Sequence, residues 1–216
     1  RLQDTMKKAF FLTLFTPLFL IAHSGKPEVV SGHVDYELVG NTEVLHVSDK
    51  TILEYPKFNI EKNEGVRFEQ PSHRSTLLCR VKGSEYSKIH GKLDANGKLL
   101  LVNPNGIFFS KTAHVNVGTL IASTLDIQNH DFLNDRFNFH LTQNSPLVNK
   151  GVVVAKAGKI VLMGGEVMTL DFEGDNLIQF AVELPLKEGF IEQAGDLHAG
   201  VVAMKLGVAH EVITSV

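Results

Sequence analysis

The chain has 216 residues, 44% of them apolar and 21% charged, and a formal net charge of −3. That length holds one domain or a large part of one, and the composition is that of a globular chain rather than a disordered one. Lys and Arg, 21 against 24 Asp and Glu, are scattered along the chain and provide no basic surface for nucleic acid.

Residues 1–24 stand apart. Lys7-Lys8 follow Met6, an apolar run broken by Thr13, Thr16 and Pro17 extends from Ala9 to Ala22, and Ala22-His23-Ser24 puts small residues where a signal peptidase reads. Basic start, apolar middle and small-x-small exit match the pattern of a Sec signal peptide, for which the Sec machinery and signal peptidase are the expected partners. The run falls short of the ~20 apolar residues of a membrane span, and an anchor or a buried helix is the alternative reading. Arg1 to Thr5 have no signal logic, so the natural start is expected at Met6. Cleavage after Ser24 leaves a chain from Gly25 with a single cysteine, Cys79, and so no internal disulfide. Stability must then come from another source, which a long stacked β core supplies.

From Gly25 onward almost nothing reads as helix. Short apolar or alternating runs recur between Asn, Gly, Asp and Lys: Val44–Val47, Phe58–Ile60, Gly65–Phe68, Lys88–Gly91, Lys98–Val102, Ile107–Phe109 and His114–Val117. Strands at this density predict an all-β architecture. Thr76–Val81 is a further β-like run, in which Cys79 reads as a buried, inert thiol. Gly118–Leu125 is ambiguous between helix and strand. Asn103-Pro104-Asn105-Gly106 reads as a tight turn between two buried strands: Pro104 supplies the φ of about −65° of the second position, Asn105 tolerates the third and Gly106 suits the fourth.

Two later stretches resemble each other. Val148–Leu162 and Ile191–Met204 share the pattern apolar-x-x-x-Gly-x-apolar-x-Ala, with Gly151 and Gly195 44 positions apart. That spacing predicts two coils of about 22 residues each, within the period range of solenoids. Gly-cornered repeats in an all-β chain point to a parallel β-helix. Val216 follows a repeat without a polar cap, and a longer protein or a disrupted frame is expected beyond it.

The chain carries no grouping that predicts catalysis. Its ten histidines form no His-Glu-x-x-His and no Cys/His cluster, and there is no Gly-x-Ser-x-Gly elbow or phosphate-cradling loop. Asp126, Asp131 and Asp135 are scattered acids. Asp171-Phe172-Glu173-Gly174-Asp175 places acids on alternate positions, which reads as a solvated turn in preference to a calcium or glycan site. No catalytic residue, metal ligand or cofactor is expected, and the chain is read as a non-enzyme.

The order Phe58-Asn59-Ile60, Val66-Arg67-Phe68, Arg80-Val81, Ile89–Gly97, Val102–Ile107, Asn116-Val117-Gly118 and Ala122–Ile127 resembles the N-terminal two-partner-secretion (TPS) domain of filamentous haemagglutinins and related adhesins and haemolysins. The likeness covers most of residues 30 to 185, and Gly91–Ile127 is its most specific block. It implies a right-handed parallel β-helix, single-stranded and pectin-lyase-like, with an N-terminal cap and extra-helical hairpins. It implies three parts: a leader over 1–24, a secretion domain over 25–185 and the start of a β-helical shaft over 186–216. It further implies export from a Gram-negative bacterium through the periplasm to the cell surface or beyond. The partner would be an outer-membrane transporter whose POTRA domains bind this domain and start translocation through its β-barrel. Regions beyond Val216 would meet any host-cell receptor.

The resemblance assigns a secretion motif to Asn103, Pro104, Asn105, Gly106 and Ile107, and a family block to Asn59, Arg80, Gly91, Asn96, Gly97, Ser123, Thr124 and Asp126. A second family motif, Asn-Pro-Asn-Leu, has no counterpart here; Gly83–Ser87 lies where it is expected, which is similar to the high-molecular-weight adhesin branch. Tyr55 stands where many relatives carry Trp, and Cys79 where they carry Asn. Alternatives of other classes are a β-helix that binds or cleaves polysaccharide, and a fragment that is itself the adhesin.

Overall fold

The computed structural model describes residues 25–140, 142, 147–164, 167–171, 179–184, 191–206 and 214–215. The leader expected over 1–24 lies outside the described residues. The described residues open on β1 (Glu28–Ser31), β2 (Val34–Val39), β3 (Thr42–Val47), β4 (Thr51–Tyr55), β5 (Gly65–Glu69), β6 (Thr76–Val81), β7 (Ser87–Ile89), β8 (Lys92–Val102), β9 (Ile107–Phe109) and β10 (His114–Ser123). After β11 (Asp126–Ile127) and the short helix α1 (Asn129–Leu133) come β12 (Phe137–His140), β13 (Leu147–Asn149), β14 (Val152–Gly164), β15 (Val167–Asp171), β16 (Gln179–Leu184), β17 (Ile191–Gln193), β18 (Asp196–Leu206) and β19 (Thr214–Ser215).

Parallel pairing winds the coil strands into a β-solenoid. Thr42 pairs with Gly65, Gly65 with Lys92, Lys92 with His114, His114 with Val152, and Val152 with Asp196, so successive coils take 23, 27, 22, 38 and 44 residues. The 44-residue spacing of Gly151 and Gly195 is therefore one coil and not two. The 22-residue period belongs to the uninterrupted coil from Lys92 to His114. The two longer coils carry insertions, β11–α1–β12 and β15–β16, which pair antiparallel into a separate four-stranded sheet. Sequence spacing counts the inserted residues, whereas the backbone ladder does not.

Each coil has three faces. β3, β5 and the first halves of β8, β10, β14 and β18 make one face, and β4, β6 and the second halves of the same long strands make the next. β7, β9, β13, β17 and β19 make the third. Phe58–Ile60 contributes one bridge, Ile60 to Ile89, and no strand. The ambiguous stretch Gly118–Leu125 is strand as far as Ser123. At the N-terminal end β1 pairs antiparallel with β4, and β2 antiparallel with β3, forming a cap.

The unbroken apolar run Leu99–Val102 follows from its position. Leu99 and Leu101 point into the coil beside Leu77, Cys79, Leu120 and Phe109. Leu100 and Val102 point outward, where Leu125, Ile127, Phe132 and Phe139 of the inserted layer cover them. A parallel sheet buried on both sides needs apolar residues at every position, not at alternate ones. Phe132 also explains α1, which the strand-dominated sequence pattern does not announce: this one short turn delivers a wholly buried ring onto the sheet.

Candidate functional site

The Asn103 turn carries the chain from β8 on the second face to β9 on the third. Gly106 N donates to Asn103 O at 3.0 Å, which closes a β-turn with Pro104 and Asn105 at its centre. Gly106 has a φ of 114°, a region that a side chain makes strained. Asn103 is completely buried, and so is the amide at its tip. Its Oδ1 accepts from Asn105 N at 2.9 Å and from Asn105 Nδ2 at 3.1 Å. Its Nδ2 donates to Glu85 O at 3.0 Å and to Ser87 Oγ at 2.9 Å. Asn105 Nδ2 donates to Gly83 O at 2.6 Å, and Ser87 N donates to Gly106 O at 3.0 Å.

Every one of these inter-coil bonds ends on Gly83–Ser87, the loop of the preceding coil. The turn therefore stitches one coil to the next. Ile107 points into the coil core, and Pro104 sits half-buried at the rim. What the arrangement offers chemically is satisfied amides inside the fold; none of it is a reactive group facing solvent.

The remaining block residues fall into separate clusters. Arg80, 4% exposed, lies beneath the inserted layer. Its Nε donates to Asp126 Oδ1 at 2.7 Å, one terminal nitrogen donates to Glu54 Oε1 at 2.8 Å and to Asn129 Oδ1 at 2.6 Å, and the other donates to Ile127 O. A guanidinium's fork of donors is matched here by acceptors from the cap side, the insertion and α1. Ser123 Oγ donates to Leu125 O at 2.9 Å and turns the chain out of β10 toward that layer, and Thr124 N donates to Met163 O at 3.3 Å.

Asn96 and Gly97 lie at the bend of β8. Asn96 Oδ1 accepts from Gln70 N at 2.7 Å, its Nδ2 donates to Gln70 O at 2.8 Å, and Gly97 N donates to Gln70 Oε1 at 3.1 Å. Asn59 Oδ1 accepts from Lys88 N at 2.9 Å. Gly91 packs against the preceding coil, where a Cβ would stand 2.2 Å from Glu61 O. Gln70, Glu54, Ser87 and Asn129 complete these networks and carry no local sequence signal, because each bonds across to another coil or to an insertion.

Cys79 is free and buried, and burial pushes its thiol well above the ordinary value. Burial likewise pushes the neighbouring Tyr55 hydroxyl well up, with Cys79 adding to the effect. Among the described residues, no three His, Cys, Asp or Glu are arranged to hold a metal ion, and no helix is long and apolar enough to cross a membrane. Asp171 ends β15, and residues 172–178, with Glu173 and Asp175, lie outside the described residues.

A family model described as TPS secretion domain matches residues 36–201. The chain belongs to the TPS secretion domain family. Its fold is similar to the crystal structure of the HMW1 secretion domain from Haemophilus influenzae, with a TM-score of 0.68 and 25% identity over 83% of this chain and 56% of that one. A heme/hemopexin-binding protein of Haemophilus influenzae strain Rd is 32% identical over 154 residues, which are 69% of this chain and 16% of that protein. A second Haemophilus influenzae heme/hemopexin-binding protein is 42% identical over 81 residues, 38% of this chain and 9% of that protein. This TPS secretion domain thus spans less than a fifth of either relative. TPS domain proteins are exported from Gram-negative bacteria, and a TPS domain implies an outer-membrane transporter as its partner.

Proposed function

We propose that this domain is the export address of a large exoprotein: POTRA domains of a partner transporter recognise it in the periplasm, and its coils then nucleate β-helix folding outside the cell. Delivery to the periplasm uses the Sec machinery and signal peptidase, acting on residues 1–24. Asn103, Pro104, Asn105, Gly106 and Ile107 serve the folding half of this function, with the family-block residues holding neighbouring coils and the inserted layer. The carrying observation is the buried amide of Asn103, which bonds to Glu85 O and Ser87 Oγ of the preceding coil. Each coil closed this way gives the next strand a finished edge to pair with, so folding proceeds in the direction of export and opposes return. Host-cell receptors, where the exoprotein has them, are met by other parts of it.

The test is secretion of Asn103→Ala and Asn105→Ala chains beside the cognate transporter. The expected result is several-fold less folded protein in the medium for Asn103→Ala, and a smaller loss for Asn105→Ala. Undiminished export of folded protein by both variants removes the turn from the mechanism.

A further inference from the structure

The N-terminal cap has a surface that the coil does not use. Seven large apolar side chains are exposed among the described residues, and five of them lie in β1 and β2: Val29, Val30, Tyr36, Leu38 and Val39, at 40–51%. Val34 packs against the coil core. Tyr36 and Leu38 share the face of Val34 and Val39 lies on the other, and all three keep 43–51% of their surface exposed in the finished domain, apolar surface that the coil itself leaves uncovered.

The backbone there is open as well. β2 pairs with β3 and with no other described strand, which leaves the other edge of this six-residue strand, with the N–H and C=O groups of alternate residues, without a strand partner among the described residues. The charge of the cap is equally distinctive. From Lys26 to Val47 the chain carries Glu28, Asp35, Glu37 and Glu43 against Lys26 alone, a net of −3 that equals the net charge of the whole chain. Tyr36 already receives a cation, the Lys26 ammonium, 5.6 Å from its ring centroid.

We propose that the free edge of β2 is the docking strand of this domain, and that its occupant is an extended, basic-flanked strand from the periplasmic region of the partner transporter. This rests on the recognition reading above and names the element that performs it. An added strand takes its affinity from main-chain hydrogen bonds, and side-chain pockets and charge give the specificity. Tyr36, Leu38 and Val39 supply the apolar contacts, and Asp35 and Glu37, whose exposed carboxylates lie 3.2 Å from His33 Nε2 and 3.4 Å from His46 Nε2, supply the complementary charge.

The position of the edge makes docking compatible with folding. β2 and β3 form a hairpin across Gly40-Asn41, and the far edge of β3 pairs with β5. Coils are therefore added on the side away from the docked strand. A lone hairpin is marginal in water, whereas three strands with an apolar face are stable. A transporter strand on β2 provides the third strand before β5 arrives, and stays in place as the solenoid grows.

The experiment titrates the full chain with the purified periplasmic region of its partner transporter, and repeats the titration with Leu38→Lys, Glu37→Lys and the control Leu133→Lys. Leu133 is exposed at 41% but lies on α1. The expected result is at least tenfold weaker binding for Leu38→Lys and Glu37→Lys, parental binding for Leu133→Lys, and weaker parental binding at high salt. Melting temperatures of all three should stay close to the parent, since these are surface changes. Parental binding by Leu38→Lys and Glu37→Lys overturns the edge assignment and leaves recognition standing. Absence of binding by the parent overturns both readings. Self-association of the parent that Leu38→Lys abolishes, with transporter binding intact, overturns the proposal in favour of a second copy of this chain.

Discussion

The Asn103 turn and the β2 strand are opposite solutions to the same surface problem. In the turn, two amide side chains are turned inward, and Asn103 is 0% exposed, its Nδ2 bonded to the coil before it and its Oδ1 to Asn105 of the turn itself. In β2, three large apolar side chains on its two faces stay 43–51% exposed, beside an edge that no other described strand pairs. A buried polar group that is fully bonded restricts the fold to one arrangement, because losing any partner leaves an unsatisfied group in a low dielectric. Exposed apolar groups contribute nothing comparable to the isolated domain. The difference separates side chains bonded into the fold from side chains that the fold leaves partly open.

The largest effect is expected where inward polarity carries full charge. Arg80→Leu leaves Glu54 and Asp126, each less than a fifth exposed, facing one another without the guanidinium between them. A loss of about 3–5 kcal/mol in urea unfolding is expected. A loss below about 1 kcal/mol would mean that the inserted layer is held by its apolar contacts alone.

Next comes the turn itself. Asn103→Ala strands Glu85 O and Ser87 Oγ and frees Asn105 N, with an expected loss of about 2–3 kcal/mol by the same measurement. Val39→Ser, in the exposed strand, should stay within about 0.5 kcal/mol of the parent. Equal losses for this pair would erase the contrast between the two regions.

The smallest effect is alkaline. Cys79 and Tyr55 hold their protons more tightly when folded, because burial disfavours their anions. Their contribution to stability is complete below the ordinary thiol value and is lost as pH rises through it, from about pH 9 upward. Cys79→Ala should flatten the fall of stability above that pH, measured as urea midpoint against pH, and the native parent thiol should resist modification at neutral pH.

How much was legible before folding differs from element to element. Strand runs such as Gly65–Phe68 and His114–Val117 are local, since alternation records one buried face, and the structure places them in β5 and β10. Asn103-Pro104-Asn105-Gly106 is legible for the same reason: its turn hydrogen bond spans four residues. Gly118–Leu125 is ambiguous in the sequence because a strand buried on both sides loses its alternation. The Gly151–Gly195 spacing misled because inserted strands lengthen a coil without adding a rung. α1 is too short to show a helical period.

The sequence alone determined the all-β character, the turn and its glycine, the apolar runs and the acidic N-terminal segment. Each depends on neighbours within a few residues, where backbone sterics and side-chain alternation act directly. Tertiary structure decided the rest. It set which coil Asn103 binds, 16 and 18 residues away, and which acceptors surround Arg80, 26 to 49 residues away. It also decided which apolar strand was left uncovered. Those partners share a rung or a layer only after the chain has wound past itself. Winding register depends on every insertion between them, which no local pattern encodes.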